Sequence, residues 1–185
     1  MSDTNTMPVT NLIPDKIGRY NAYVGDTDVA NKLLGITAEM TLPSFSYMSE
    51  TLNLSGTAGE IESPAMGQLQ SAEVEIPFTN ISAQALALAA NDGTALILRA
   101  EQEFIDKTTY KKVTKSRVVT LRGFTKKINF GSLKKAGFGN PSITKEIIYY
   151  KDVIDGVTVF EVDKLNGTPF IINGVNMAAE TDSMI

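Results

Sequence analysis

The stretch from Ser116 to Asp163 constrains the fold of this chain most. Ser116–Phe130 mixes Val, Thr, Leu and Phe with interspersed charge, a pattern that suits a pleated, half-buried strand. Gly131–Ser142 then stacks turn residues: Gly131, Gly137, Gly139, Asn140 and Pro141. Ile143–Lys151 is strand-like again. Asp155-Gly156 is a short-range turn signal, because a type I′ turn needs positive φ, which Asp-Gly tolerates; Val157–Asp163 then returns as the next strand. Two strands this long need partners, so the rest of the chain is expected to complete a β-sheet core.

Other segments carry the same period of two. Ile36–Leu42 alternates Ile36, Ala38, Met40 and Leu42 against Thr37, Glu39 and Thr41, and Pro43 stops it, which predicts a half-buried strand. Ser71–Thr79 sets Val74, Ile76 and Phe78 against Glu73, Glu75 and Pro77. Pro77 has no N–H to give a ladder, so it is expected near the strand end or at a bulge. Leu96–Phe104 sets Leu98, Ala100, Gln102 and Phe104 against Arg99, Glu101 and Glu103. Arg19–Val24 and Pro169–Ile172 read as short strands, Leu33–Gly35 as a short apolar patch, and Lys107–Lys115 as a basic hairpin connection. Ser82–Asn91 is the one helix: Ser82 is a candidate N-cap, the interior is rich in Ala and Leu, and Asn91-Asp92-Gly93 stops it. The sum is seven or eight strands and one helix. It predicts a mainly β protein, an antiparallel sandwich or barrel with a short flanking α-helix.

The chain has 185 residues, enough for one core, and a single domain over 1–185 is expected. Residues 1–16 read as an N-terminal arm, mobile or docked on a partner, and 177–185 as a polar tail. Residues 44–70 are long for a connection yet carry Phe45, Met48, Leu52, Leu54, Ile61 and Met66. A solvated loop has no use for that much apolar surface. Two readings stay open: the segment folds back on its own core, or it is an arm buried against a neighbouring subunit.

Chemistry is narrowed by what is missing. The chain has no Cys and no His, so it lacks thiolate ligands, disulfides, the commonest general base and the commonest metal ligand. Gly137-Phe138-Gly139 lacks the third glycine of a dinucleotide loop, and Pro141 keeps a helix from opening after it. Glu73, Glu75, Glu101 and Glu103 alternate along strands as solvated faces do. No catalytic, cofactor-binding or metal site is expected, no cofactor is implied, and the chain does not read as an enzyme. No membrane-spanning run is present, and the polar start predicts no secretory signal, which leaves three Asn-X-Ser/Thr matches without meaning as glycosylation sites.

Charge is segregated. Ten of the 17 basic residues lie between Lys107 and Lys135, with no acidic residue among them. Nucleic-acid binding, an acidic surface on another copy of the chain, and a sheet face neutralised by other strands all account for this.

The order of motifs resembles the major tail tube protein of contractile-tailed phages (the myovirus type, also used in phage-tail-like bacteriocins) along nearly the whole chain. Arg19–Gly25, Met40–Pro43, the arm with Gly56 and Gly59, Ser71–Phe78 and the helix from Ser82 come in the family's order. Arg122-Gly123, Lys126–Gly131, Lys134 and Gly137 follow. Tyr149-Tyr150, Asp155-Gly156, Glu161–Asp163, Asn166 and Asn173-Gly174 complete it.

The resemblance implies a structural virion protein, assembled in the host cytoplasm. Hexameric rings of it would join sheets into one closed barrel and stack into the rigid inner tube of a contractile tail, a conduit for DNA ejection. Implied partners are further copies of the chain, the tail sheath protein, baseplate and terminator proteins, and DNA that passes without specific binding. The tube of a bacteriocin or another contractile injection system, such as a type VI secretion tube, is the near alternative; a basic nucleic-acid-binding β-domain is the distant one. Glu39, Glu73, Glu75, Arg99, Glu101 and Glu103 are candidates to face the lumen, where a mostly acidic wall would repel the DNA backbone. The arm residues above are candidates for contacts between subunits or rings. Lys111, Lys112, Lys126, Lys127, Lys134 and Lys135 are candidates to face an acidic partner.

Overall fold

A computed structural model describes residues 11–28, 31–56, 58–90, 92–167 and 170–177, and all of their side chains except that of Met66. Most of the expected N-terminal arm, the C-terminal tail after Met177, Asn91 and Pro169 lie outside these residues.

Among the described residues, nine strands form one antiparallel sheet. In chain order they are β1 (Leu12–Val24), β2 (Lys32–Leu33), β5 (Glu73–Pro77), β6 (Leu96–Asp106), β7 (Lys112–Asn129), β8 (Ser142–Ile154), β9 (Val157–Asp163), β10 (Phe170–Ile172) and β11 (Val175–Asn176). Their spatial order is β11-β10-β9-β8-β7-β6-β1-β2, with β5 on β8 beside the start of that strand. Two more strands, β3 (Tyr47–Leu52) and β4 (Ile61–Leu69), pair only with each other among the described residues. The helix α1 spans Ala83–Leu88. The fold is mainly β, and the two ends of the large sheet do not pair, so one chain forms no closed barrel.

The organising stretch folds as its pattern dictates. β7 and β8 pair from Arg117↔Ile154 to Asn129↔Ser142. Asp155 and Gly156 both take positive φ, 52° and 81°, and return the chain into β9. Asn173 and Gly174 repeat the device between β10 and β11, at 52° and 80°. Ser82 caps α1, its hydroxyl accepting from the Ala85 N–H at 3.1 Å, and Ala85 and Leu88 turn inward. Pro77 pairs at the end of β5, where no further N–H is needed. Val74, Ile76 and Phe78 are buried, with Glu73 and Glu75 on the solvent side.

One buried cluster holds these elements together. It draws Leu33 from β2, Leu98 from β6, Val119 and Leu121 from β7, Ile147 from β8 and Phe170 from β10. Full burial of a side chain such as Phe78, Ile76, Leu96 or Ile143 contributes about 1.5–3 kcal/mol.

The structure corrects the sequence reading in three places. First, Ile36–Leu42 is not a strand: Ile36 makes a lone bridge to Phe78, and residues 37–46 follow an irregular path. The Tyr20 hydroxyl donates to the Thr37 carbonyl at 2.5 Å, and the Thr37 hydroxyl donates to the Glu39 carbonyl at 2.7 Å. Those bonds replace a ladder, while Met40 and Leu42 still pack on the core. Second, β1 begins at Leu12 rather than Arg19. β6 runs on to Asp106 and offers it a partner, and two register shifts, between Pro14 and Ile17 and between Ile17 and Tyr20, absorb Pro14. Third, the basic connection is confined to residues 107–111, because β7 starts at Lys112.

Candidate assembly interface

The long arm is a β-hairpin with a pinned root and an open tip. At the root, Phe45 lies 5.1 Å from Tyr150 and 5.3 Å from Phe160, ring centre to ring centre, and Tyr47 lies 6.1 Å from Phe170. Such aromatic pairs contribute about 0.5–1.5 kcal/mol each beyond burial. Farther out, Met48, Leu52 and Ile61 are exposed on a two-stranded sheet, with Leu54 exposed in the connection beyond β3, and both edges of that sheet are open among the described residues. The two readings of this segment thus divide it: Phe45 folds onto the chain's own core, and the four residues beyond do not. The Met66 side chain lies outside the described set.

The large sheet also has an open edge. Among the described residues, β1 pairs on its outer side only at Ala22 and Tyr23, with β2. From Ile17 to Ala22 that edge faces a groove of about 580 Å³ whose other wall is residues 32–38. Ile17 and Leu34 are exposed in this groove, and Ile13 is exposed farther along the strand. The apolar residues in an otherwise polar start were the available signal for this edge.

A third feature is the loop between β7 and β8. Its neck is tight: Gly131 has φ 72°, and a Cβ there would stand 2.1 Å from the Gly139 carbonyl oxygen. The Ser132 N–H donates to that oxygen at 2.8 Å, and the Gly139 N–H donates to the Thr79 carbonyl at 3.1 Å. The loop is therefore held on the segment that joins β5 to α1. It carries Phe130, Leu133 and Phe138, all exposed, beside Lys134 and Lys135. Large apolar side chains inside a Gly/Lys-rich turn were the signal that the sequence reading passed over.

Four of the ten basic residues of the segment form ion pairs within the chain, among the described residues. Lys112 lies 2.9 Å from Glu103 and 3.1 Å from Asp15, Lys115 2.7 Å from Asp155, and Arg117 2.6 Å from Asp152; Lys126 pairs with Glu73. Hydrogen bonds that Lys112 donates to Glu103 and Asp15, and Lys126 to Glu73, raise both lysines above the ordinary value. Arg122 stacks over the Tyr149 ring at 5.9 Å. Of the six basic candidates, Lys112 and Lys126 are thus engaged, while Lys111, Lys127, Lys134 and Lys135 make no ion pair among the described residues.

The six lumen candidates do not form one cluster within a chain. Glu73 and Glu75 lie on β5 beside Glu146 and Thr144, while Glu101 and Glu103 lie on β6 beside Ser116 and Thr114. The length of β7 between these two sites is about 30 Å. Arg19 pairs with Glu101 at 2.9 Å. Glu39 and Glu75 line one groove, and neither they nor Arg99 make an ion pair among the described residues.

Burial shifts two tyrosines: Tyr149, half-buried and donating to Glu161 at 2.7 Å, and Tyr150, buried beside Asp152, are both pushed up to about 12. Both stay neutral at physiological pH. Among the described residues no group of three or more acidic side chains is placed to hold a metal ion, and no helix is long and apolar enough to cross a membrane.

No curated protein matches the chain. The family model described as phage tail tube protein FII matches residues 14–185, which takes in the open edge, the hairpin and the loop described above. The chain belongs to the phage tail tube protein family and is a structural component of a phage tail.

Proposed function

We propose that this chain forms hexameric rings that stack into the inner tube of a contractile tail, the conduit for DNA ejection. The observation that carries the reading is the open edge of β1, in a chain of the tail tube family whose sheet is not closed by itself. A row of unpaired backbone N–H and C=O groups is a template for pairing, and closing sheets between copies removes it. Ring stacking is a heterologous contact that does not close on itself and so grows an open filament.

On this reading residues 1–185 are one tube domain with no catalytic role. The sheath, baseplate and terminator proteins are its partners, and it is assembled in the host cytoplasm. Glu39 and Glu75, free of ion pairs among the described residues, are the best placed of the lumen candidates to repel DNA. The DNA-binding alternative is weakened by Lys112, Lys115, Arg117 and Lys126, whose charges are met within the chain.

Negative-stain electron microscopy of the purified protein over a range of concentrations tests the proposal. Hollow six-fold rings or tubes are expected. A monomer at every concentration that also binds DNA in low salt would replace it with the nucleic-acid reading.

A further inference from the structure

We propose that the tip of the β3–β4 hairpin of one copy docks on the Leu133–Phe138 loop of a second copy. The inference rests on the tube reading and names two surfaces that meet in it.

Each surface is incomplete alone. The hairpin reaches about 20 Å beyond its root at the rise of an extended strand. A lone two-stranded hairpin is marginal in water, and this one exposes Met48, Leu52 and Ile61. The loop is the opposite kind of object. Its neck at Gly131 and Gly139 is too close for side chains, so the backbone is held in one shape before any partner arrives. That shape leaves Leu133 fully exposed and Phe130 and Phe138 two-thirds exposed. A pre-shaped apolar knob in water marks a contact site.

Charge selects the pairing. The chain has no Lys or Arg from Leu33 to Leu98, a span with seven acidic residues, and no Asp or Glu from Lys107 to Lys135. The hairpin carries Glu50, Glu60 and Glu62; the loop carries Lys134 and Lys135. None of these five makes an ion pair among the described residues, whereas most of the nearby charges on β6, β7 and β8 do. Acidic and apolar on one side meets basic and apolar on the other, and like surfaces repel, which fixes a head-to-tail rather than a symmetric contact.

The absence of cysteine makes a direct test available. Leu52→Cys and Leu133→Cys chains are mixed and treated with a short bismaleimide, alongside wild type examined for rings and tubes. Mixed covalent dimers, at least about tenfold above those of either variant alone, are expected. Glu50→Lys/Glu60→Lys/Glu62→Lys and Lys134→Glu/Lys135→Glu should each raise the concentration needed for assembly about tenfold, and both sets in one chain should restore it. Wild-type tubes with no mixed cross-link, or with no rescue by the combined charge exchange, overturn the docking pair and leave the tube reading intact. Mixed cross-links without rings support the pair and remove the tube reading. Neither cross-links nor rings overturns both.

Discussion

Gly123 approaches the Glu146 backbone across the β7–β8 ladder so closely that a Cβ on Gly123 would stand 1.9 Å from the Glu146 carbonyl oxygen. The register shifts at this point, between Arg122 and Gly123, and the shift brings the two backbones together. Gly123→Ala is expected to cost about 3 kcal/mol or more, the upper end of overpacking in a core. Gly156→Ala, at φ 81° with open space around it, should cost only about 1–2 kcal/mol. Urea unfolding of the two variants checks the difference; equal costs would mean that the ladder yields at Gly123.

Arg117 and Asp152 join two strands of the core sheet through a forked contact. Arg117 Nε donates to both Asp152 oxygens at 3.1 Å, and Nη2 donates to Oδ2 at 2.6 Å. Asp152 is buried, so its charge has no water to replace the guanidinium. Removing one partner should cost about 3–5 kcal/mol. Arg117→Met, which leaves that carboxylate alone, is expected to lower the thermal midpoint more than Arg19→Met, which breaks only a surface pair with Glu101.

Glu146 predicts an acid limb. Burial pushes its carboxyl up, but hydrogen bonds from the Ser71 hydroxyl and the Ala72 N–H, with Lys164 beside it, outweigh burial and hold it below its ordinary value. A depressed carboxyl stabilises the fold above its unfolded value, about 4.3, and that contribution is lost as pH falls toward the folded value. Stability measured from pH 7 down to 3 should fall less steeply in Glu146→Gln than in wild type. Parallel curves would assign the limb to other carboxyls, such as Asp163.

Lys145 predicts the reverse at high pH. It is 5% exposed, its ammonium reaches the Gly123 carbonyl at 3.5 Å, and burial, outweighing the attraction of Asp92, lowers its pKa. The unfolded chain therefore holds this proton to higher pH than the folded one, and stability rises with pH between the folded value and about 10.4. Lys145→Met should stabilise the protein at pH 7, on the order of 1 kcal/mol, with the gain shrinking through that window. Chemical denaturation at pH 7 and pH 10.5 decides it.

The lumen assignment predicts a change in transit without a change in assembly. With Glu39→Lys and Glu75→Lys together, tubes should form as in wild type while DNA release from complete particles slows, because a basic wall attracts phosphates. Release at the wild-type rate removes both residues from the lumen.

Much of the fold was legible because its signals are local. The run from β7 to β9 is fixed by β-branched and aromatic alternation and by Asp155-Gly156, whose positive φ belongs to the turn itself. Ser82 and the inward-facing Val74, Ile76 and Phe78 were equally plain. Ile36–Leu42 shows the limit: its alternation correctly marks Met40 and Leu42 as core residues but does not make a strand. Strand formation needs a free partner edge at the right place, and only Ile36 finds one.

The sequence by itself determined the family, the β character and the segregation of charge. Only the tertiary structure decided how that charge is used: Lys112 meets Asp15, and Lys115, Arg117 and Lys126 likewise meet carboxylates far from them in sequence, while Lys134 and Lys135 meet none among the described residues. It also divided the arm between a root in the chain's own core and a tip outside it. The reason is common to both. Periodicity and turn chemistry are properties of neighbours along the chain, but pairing and burial depend on which distant segment arrives at the other side.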